Sequence, residues 1–261
     1  MLDYSKRVLA VAKKIPTGIN GLDELLNGGI PEGRVVLVIG GPGSGKTTLA
    51  SQFLYKGISD YEENGIFVSL DEEKQHYYNE MISFGWDFAK AEEEKKFAFI
   101  DATDVSRAAM LREKLNLEAN SLRGKLLQTD KLLEKIEEAI DEIDAKRVVL
   151  DTLATMFHRF PDPIERRNAV IDLIESFSDL KATTFITTEL GRLTLDREVS
   201  VEEYMAHGVI MMQTIYSKAD TSRALQVMKM RGTKINNKLV PYSIDNTGIE
   251  IYPDIQLFSA S

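Results

Sequence analysis

Short apolar runs alternate with longer stretches of helical periodicity up to about residue 190. The apolar runs lie near residues 35–39, 65–70, 97–101, 147–151 and 183–187. Continuous apolar character over so few residues is typical of strands buried on both faces, and strands that alternate with helices form parallel sheets through right-handed crossovers. The pattern therefore predicts an α/β fold in which a mainly parallel, twisted sheet carries helices on both faces.

Beyond residue 208 the apolar runs follow one another with only short polar turns between them. They cover residues 209–212, 223–230, 239–244 and 248–252. Short connections of this kind join antiparallel neighbours, so we expect a C-terminal antiparallel extension of the same sheet. A chain of 261 residues can bury a full core without dividing, and we therefore expect one domain over residues 1–261.

Two further segments lie before the sheet and within it. Residues 1–33 are rich in turn-forming residues around one short helix-like stretch, and we expect them to form a lid across the sheet edge. Residues 106–144 are charged but carry leucine and isoleucine at helical spacing, with Gly124 as a potential break. This spacing predicts one or two amphipathic helices packed on the sheet, and a coiled coil that docks a partner protein is the alternative.

Composition narrows the classes of function that remain. The chain has no cysteine and three scattered histidines, which excludes disulfides, thiolate zinc sites and cysteine nucleophiles and disfavours a histidine metal cluster. A formal charge of −9 opposes broad binding to a phosphate backbone, so nucleic acid is not the favoured partner. No apolar run is long enough for a membrane span or a signal peptide, and we expect a cytoplasmic protein.

One stretch carries a specific binding chemistry, the run Gly40-Gly41-Pro42-Gly43-Ser44-Gly45-Lys46-Thr47 between the first strand and a helix. It matches the pattern G-x-x-x-x-G-K-[ST], in which glycines allow a tight turn and successive backbone N–H groups point at an anion. The lysine can reach β- and γ-phosphate oxygens, and the threonine hydroxyl can bind Mg²⁺. The predicted nucleotide-binding residues are Gly41, Pro42, Gly43, Ser44, Gly45, Lys46, Thr47 and Thr48.

Carboxylates end three of the predicted strands. Asp151 follows a buried strand and is expected to hold Mg²⁺ opposite Thr47, usually through water. Asp71 and Glu72 end the second strand, which we expect beside the first strand, and they are the candidates for orienting or deprotonating water. An acidic helix N-terminus is the alternative for this pair. Glu189 ends the last parallel strand, where it either senses the γ-phosphate or is an ordinary loop residue.

A pair of cations lies near the end of the second C-terminal strand. Strand alternation places Lys229 and Arg231 on one face and Met228 and Met230 on the other. Two cations aimed together suit a polyphosphate, whereas a solvated edge strand also carries positive charge to discourage unwanted pairing. The spacing leaves both readings open.

These motifs together resemble the single-domain, archaeal-type members of the KaiC family within the RecA-like ATPases. The resemblance covers nearly the whole chain. The matching segments are residues 15–19, 21–25, the phosphate loop, 65–72, 83–87, 147–151, 187–189 and 229–233.

The resemblance implies an ATPase that forms a ring, with a hexamer as the expected size and ATP bound between neighbouring subunits. In that ring Lys229 and Arg231 would act in trans on the next subunit's γ-phosphate, as arginine fingers do. The family's paired glutamates fall on Asp71 and Glu72, and Glu72 is the better candidate for orienting water. A nucleotide-driven switch of this kind would bind a partner protein that the sequence does not identify.

Clock-style autophosphorylation is not supported, because the positions corresponding to the clock protein's phosphorylated serine and threonine hold Glu203 and Tyr204. A second hypothesis is an ATP-dependent protein of the RecA or RadA type that binds single-stranded DNA. Its loops would be residues 158–167, which interleave bases with an aromatic residue, and residues 191–203, which mix arginines with acids. A nucleotide sensor without hydrolysis is a third hypothesis, attractive only if Asp71 and Glu72 lie far from the phosphates.

Overall fold

A computed structural model describes residues 13–103, 122–157, 160, 162–189, 199–216, 221–255 and 257. In chain order the elements are β1 (Lys14–Ile15), α1 (Leu22–Leu25), β2 (Ile30–Pro31), β3 (Val35–Gly40), α2 (Lys46–Asp60), β4 (Gly65–Ser69), α3 (Lys74–Met81), α4 (Phe88–Glu93), β5 (Phe97–Asp101), α5 (Leu122–Ile143), β6 (Arg147–Asp151), α6 (Leu153–Phe157), α7 (Pro163–Asp179), β7 (Thr183–Glu189), α8 (Val201–Met205), β8 (Gly208–Tyr216), β9 (Thr221–Met230), β10 (Val240–Asp245) and β11 (Gly248–Ile251).

The main sheet has nine strands in the order β11-β10-β9-β8-β3-β7-β6-β4-β5. The five strands predicted from the apolar runs are confirmed and pair in parallel, and the antiparallel C-terminal extension is confirmed for β9, β10 and β11. Strand β8 differs from the prediction, because it pairs in parallel with β3 on one side and antiparallel with β9 on the other. It therefore joins the two halves of the sheet, and β3 lies near its centre.

The expected adjacency of the first two long strands is wrong. Between β3 and β4 lie β7 and β6, so the end of β4 is next to β6 instead, with Ser69 paired with Asp151. The crossover through α2 skips two positions in the sheet, and strands later in the chain fill them. Order along the chain does not reveal such a skip, because each crossover leaves its landing position open.

The residues just before the first long strand belong to the core. Leu22, Leu25 and Leu26 are fully buried in the cluster that also contains Val36 and Phe53. The segment therefore packs onto the face of the sheet that α2 covers, whereas we expected it to lie across the sheet edge. Residues 1–12 of the predicted lid lie outside the described residues.

A buried arginine ties this segment to the sheet. Arg147, the first residue of β6, is fully buried and pairs with Glu63 at 2.6 Å. Its guanidinium also donates to the carbonyls of Pro16 at 2.8 Å and Phe53 at 2.7 Å, and it lies 4.5 Å from the centre of the Phe53 ring. Because every direction of the guanidinium meets a partner, its charge is accommodated without water.

The charged helical segment packs on the opposite face of the sheet. Helix α5 runs without a break past Gly124, and Leu132 and Ile136 are buried in the second core cluster with Val68 and Val148. The expectation that residues 106–144 pack on the sheet is therefore confirmed for the second half of that segment. Residues 104–121 fall outside the described part of the chain. Across the described ranges no helix combines the length and the apolar character that a membrane crossing needs.

Candidate nucleotide-binding site

The phosphate loop joins the central strand β3 to the helix α2. Gly43 and Gly45 have φ values of 72° and 87°, a region that residues with a Cβ rarely adopt. A Cβ built on Gly41 or Gly43 would meet no atom within 4 Å, so the loop is open on that side. The open side can admit a ligand to the backbone N–H groups at the start of α2.

The other side of the loop is packed against the protein. A Cβ on Gly40 would lie 2.5 Å from Ser44 Oγ, and a Cβ on Gly45 would lie 2.6 Å from Ile244 Cδ1. Ser44 is fully buried, and its hydroxyl has no hydrogen-bond partner in the described part of the chain. The protein therefore supports the loop on this side, and within the described ranges only the side of Gly41 and Gly43 is open to a ligand.

Lys46 lies over the loop at the start of α2. Its ammonium donates to the carbonyls of Gly40 at 3.0 Å and Gly41 at 3.1 Å. Burial lowers the pKa of Lys46, while the negative charges of Asp151 and Glu189 oppose that shift. The ammonium is thus held at the loop by bonds that a phosphate oxygen could replace.

The carboxylate of Asp151 lies beside the start of the same helix. Thr47 Oγ1 donates to one carboxylate oxygen at 2.8 Å, and Thr187 Oγ1 donates to the other. Burial raises the pKa of Asp151, and the hydrogen bonds from both threonines and the charge of Lys46 oppose the rise.

A hydroxyl and one carboxylate are the oxygen ligands with which proteins share a Mg²⁺ ion with substrate phosphates. The described residues contain no group of three or more His, Cys, Asp or Glu side chains able to hold a metal unaided. The residues present therefore fit a metal that completes its coordination with the phosphates of a bound nucleotide.

Asp71 and Glu72 lie in the turn that follows β4. Ser69 Oγ donates to Glu72 O at 2.7 Å and accepts from Glu72 N at 2.8 Å, which closes the turn. Leu70 N donates to Asp151 O at 2.7 Å, so the turn sits against the end of β6. Asp71 and Glu72 thus lie near the site because β4 is next to β6, and not because β4 is next to β3.

Glu72 is the perturbed carboxyl of this turn. It is half-buried, whereas Asp71 is exposed. Burial raises the pKa of Glu72 to about 7, with further contributions from the negative charges of Glu80, Asp151 and Asp71 and an opposing one from His76. A carboxyl with this pKa can accept a proton near neutral pH.

Glu189 is the last residue of β7 and pairs in register with Gly40, at the start of the loop. Its side chain is exposed, and its charge acts on Lys46. The structure therefore makes it a strand residue beside the loop rather than part of a separate loop.

Lys229, in β9, and Arg231, just after the end of β9, lie at the opposite end of the strands from the phosphate loop. Lys229 pairs with Val209, next to Gly208, which pairs with Val36 near the start of β3. Four residues of strand separate this level from Gly40, which corresponds to about 13 Å. The phosphate loop of the same chain is therefore beyond the reach of both cations.

Lys229 and Arg231 converge on one acceptor, as their predicted shared face implies. Lys229 Nζ donates to Tyr204 O at 2.8 Å, and Arg231 Nη2 donates to the same carbonyl at 3.1 Å. The predicted common face of the two methionines is wrong, because Met230 is buried while Met228 is exposed. A register shift opposite Val209 and Ile210 inserts Met228 as an extra residue and interrupts the alternation.

Two residues that shape the site were not among the predicted ones. Thr187 orients Asp151, and Tyr242 Oη donates to Ser44 O at 2.6 Å. Two successive threonines at the end of a buried strand were a usable signal for Thr187. Tyr242 has no such signal, since it lies 198 residues from its acceptor in the chain.

A glycine-rich loop after a central strand, with the acidic ends of neighbouring strands beside it, places the chain among the P-loop ATPases with a RecA-like core. The KaiC ATPase family model matches residues 15–256. The chain therefore belongs to the KaiC family of ATPases.

Similar proteins include both single-domain and longer members. A UPF0273 protein of Methanocaldococcus jannaschii is 38% identical over 244 residues, covering 93% of this chain and 97% of that one. The circadian clock oscillator protein KaiC of Synechococcus elongatus is 32% identical over 241 residues, covering 92% of this chain and 44% of its own. The chain thus spans less than half of that clock protein.

A solved structure has the same fold. The crystal structure of a KaiC-like protein from Pyrococcus horikoshii matches with a TM-score of 0.77 and 34% identity, covering 93% of this chain and 100% of that one. Its full coverage agrees with a RecA-like core followed by the antiparallel extension.

Proposed function

We propose that this protein binds ATP with Mg²⁺ at the phosphate loop and hydrolyses it as a ring, a hexamer by family resemblance, that acts as a nucleotide-driven switch. The observation that carries the proposal is the pairing of Thr47 with Asp151 at 2.8 Å beside a glycine loop whose outer side is open. A glycine turn without a ligand needs neither the pairing nor the open side.

Different groups of the site would bind the phosphates and the metal ion. Backbone N–H groups between Gly41 and Thr48, apart from Pro42, which has none, would hold phosphate oxygens, and Lys46 would exchange its two carbonyl acceptors for β- and γ-phosphate oxygens. Thr47 and Asp151 would hold the Mg²⁺ ion. When bound, the magnesium nucleotide supplies a γ-phosphate whose developing charge the metal partly neutralises.

Glu72 is the residue that we assign to water. Its raised pKa makes it a proton acceptor near neutral pH, and it is half-buried and close enough to Asp151 for the two charges to interact. This position disfavours the sensor without hydrolysis, which required the carboxylates to lie far from the phosphates. Asp71 is the second candidate, since it shares the same turn.

Lys229 and Arg231 act on a neighbour's nucleotide. The distance along the strands between these cations and their own phosphate loop prevents action in cis. A head-to-tail contact between copies would bring the cations of one copy to the phosphate loop of the next, and such contacts can close a ring. In this ring the two cations stabilise charge on the γ-phosphate of the adjacent subunit. We further propose that the ring is cytoplasmic and controls a partner protein.

The test is ATP turnover per subunit in the presence of Mg²⁺ over a wide range of protein concentration, with the size of the assembly followed by light scattering. Turnover should rise steeply as rings form, and Lys46→Ala should abolish it. Lys56→Ala, a partly exposed lysine ten residues further along the same helix, is the matched control and should retain turnover. Flat turnover down to monomer concentrations contradicts the trans arrangement, and full activity of Lys46→Ala contradicts the site.

No described feature favours the DNA-binding alternative. Much of the two loops on which it depended, residues 158–159, 161 and 191–198, lies outside the described residues.

A further inference from the structure

The C-terminal hairpin of β10 and β11 holds the phosphate loop from behind. Tyr242 in β10 donates its hydroxyl to the carbonyl of Ser44, within the loop, at 2.6 Å. Both residues are buried. The bond is therefore shielded from water and connects the centre of the sheet to a hairpin near its edge.

The hairpin has two further contacts with the loop and the helix that follows it. Ile244 Cδ1 would lie 2.6 Å from a Cβ on Gly45, so the hairpin rests directly on the last glycine of the loop. Gln52 in α2 is buried, and both ends of its side-chain amide form hydrogen bonds with the backbone of one residue of the hairpin. It donates to Ile249 O at 3.1 Å and accepts from Ile249 N at 2.6 Å.

The Tyr242 bond acts on a peptide unit that matters for anion binding. The carbonyl of Ser44 shares a planar peptide with the N–H of Gly45, and in a trans peptide these two groups point in opposite directions. Holding the carbonyl toward the hairpin therefore directs the Gly45 N–H away from it. A site that binds phosphate through N–H groups gains affinity when these groups are aligned before the ligand arrives.

We propose that the hairpin is a clamp that keeps the phosphate loop in its anion-binding conformation, and that Tyr242 is its positioning residue. This inference rests on the proposed binding of nucleotide at the loop. It predicts that nucleotide affinity depends on a hydroxyl that never touches the nucleotide. Burial also raises the pKa of Tyr242, so its hydroxyl remains a donor at every pH at which the protein would work.

The chain offers a matched pair of variants for the test. Tyr242→Phe removes the hydroxyl and keeps the ring in the core. Tyr252→Phe, after the end of the same hairpin, removes a hydroxyl that contacts Ser243 Oγ at 2.9 Å and Glu250 Oε2 at 3.1 Å instead. Binding of a magnesium complex of a non-hydrolysable ATP analogue is measured by calorimetry, at a temperature where circular dichroism shows every variant fully folded.

We expect the Kd of Tyr242→Phe to rise about threefold to tenfold, as for the loss of one buried hydrogen bond, and the Kd of Tyr252→Phe to stay within about twofold of wild type. The turnover of saturated Tyr242→Phe should change less than its KM. Equal Kd values for Tyr242→Phe and wild type overturn the clamp, even if Tyr242→Phe melts at a lower temperature. Absence of binding in the wild type overturns the proposed function as well, which separates the two failures.

A measurement on the unaltered protein covers the case in which Tyr242→Phe does not fold. Because coupling between two sites is reciprocal, nucleotide bound at the loop should also stabilise the hairpin. Hydrogen exchange at the Ile249 amide, which bonds to Gln52, should slow when the analogue is added. Unchanged exchange at this amide, with nucleotide bound, overturns the clamp.

Discussion

The raised pKa of Glu72 leads to a pH profile that distinguishes this residue from an ordinary glutamate. Burial and the nearby carboxylates raise its pKa to about 7. If ionised Glu72 accepts the proton of the attacking water, kcat/KM should increase with pH and be half-maximal near pH 7, because kcat/KM reports the pKa of the nucleotide-free protein. At pH 6 only about one tenth of Glu72 is ionised, whereas an unperturbed glutamate would be almost fully ionised, so the two cases differ about tenfold in rate.

The assay is kcat/KM for magnesium ATP between pH 5.5 and 8.5, with the ring checked by light scattering at each pH. Glu72→Gln should lower turnover by about 10²-fold or more, since general base catalysis contributes at least this much. The control is Glu73→Gln, which removes the charge of the exposed neighbouring residue and should keep both the rate and the profile.

The same raised pKa predicts that the free energy of unfolding falls with pH, whereas activity should rise with pH. Because the folded pKa is above the unfolded value, the folded state favours protonated Glu72, and this contribution to stability is present below about pH 4.5 and is lost as pH rises through 7. Without nucleotide, Glu72→Gln should therefore melt at a higher temperature than wild type at pH 8, with the difference shrinking toward pH 5. Differential scanning fluorimetry measures this.

Two results would refute the reasoning. A wild-type profile that is already nearly flat from pH 5.5 upward, as for a glutamate with the ordinary pKa of 4.5, would mean that Glu72 is not perturbed or is not the base. Retention of turnover and profile by Glu72→Gln, with loss in Asp71→Asn, would transfer the role to Asp71.

Two further predictions concern stability and the ring. Arg147→Met leaves the partly buried Glu63 and several buried carbonyls without their partner, and should lower the free energy of unfolding by about 3–5 kcal/mol and the Tm by about 6–20 °C. Lys56→Met, at an exposed ion pair, should change the free energy of unfolding by less than about 1 kcal/mol, and a similar loss in both variants would contradict the role of the buried charge. Mixing inactive Lys46→Ala with inactive Lys229→Ala should recover part of the turnover, because the first variant supplies Lys229 to the intact loop of the second, and an absence of recovery in mixed rings would exclude action in trans.

The strands were predictable because strands buried on both faces give apolar runs, and β3, β4 and β6 have this pattern over most of their length. β5 is also an apolar run, although it lies at the sheet edge and is only partly buried, and β7 is buried along most of its length although threonines make up much of it. Their order was not predictable. The positions of β6 and β7 between β3 and β4 depend on how far each crossover carries the chain, and β8 is parallel to β3 although its sequence resembles that of the antiparallel strands that follow. The hydrophobic pattern of a strand indicates how buried it is, but it does not indicate which strands lie next to it in the sheet.

The same division holds for the candidate site. The sequence by itself determined the phosphate loop, because its chemistry depends on eight consecutive residues and on the glycines that permit their backbone conformation. Only the tertiary structure decided the pKa of Glu72, the contact of Tyr242 with Ser44 and the separation of Lys229 from its own loop. These properties arise from burial and from groups far apart in the chain, and folding alone brings such groups together.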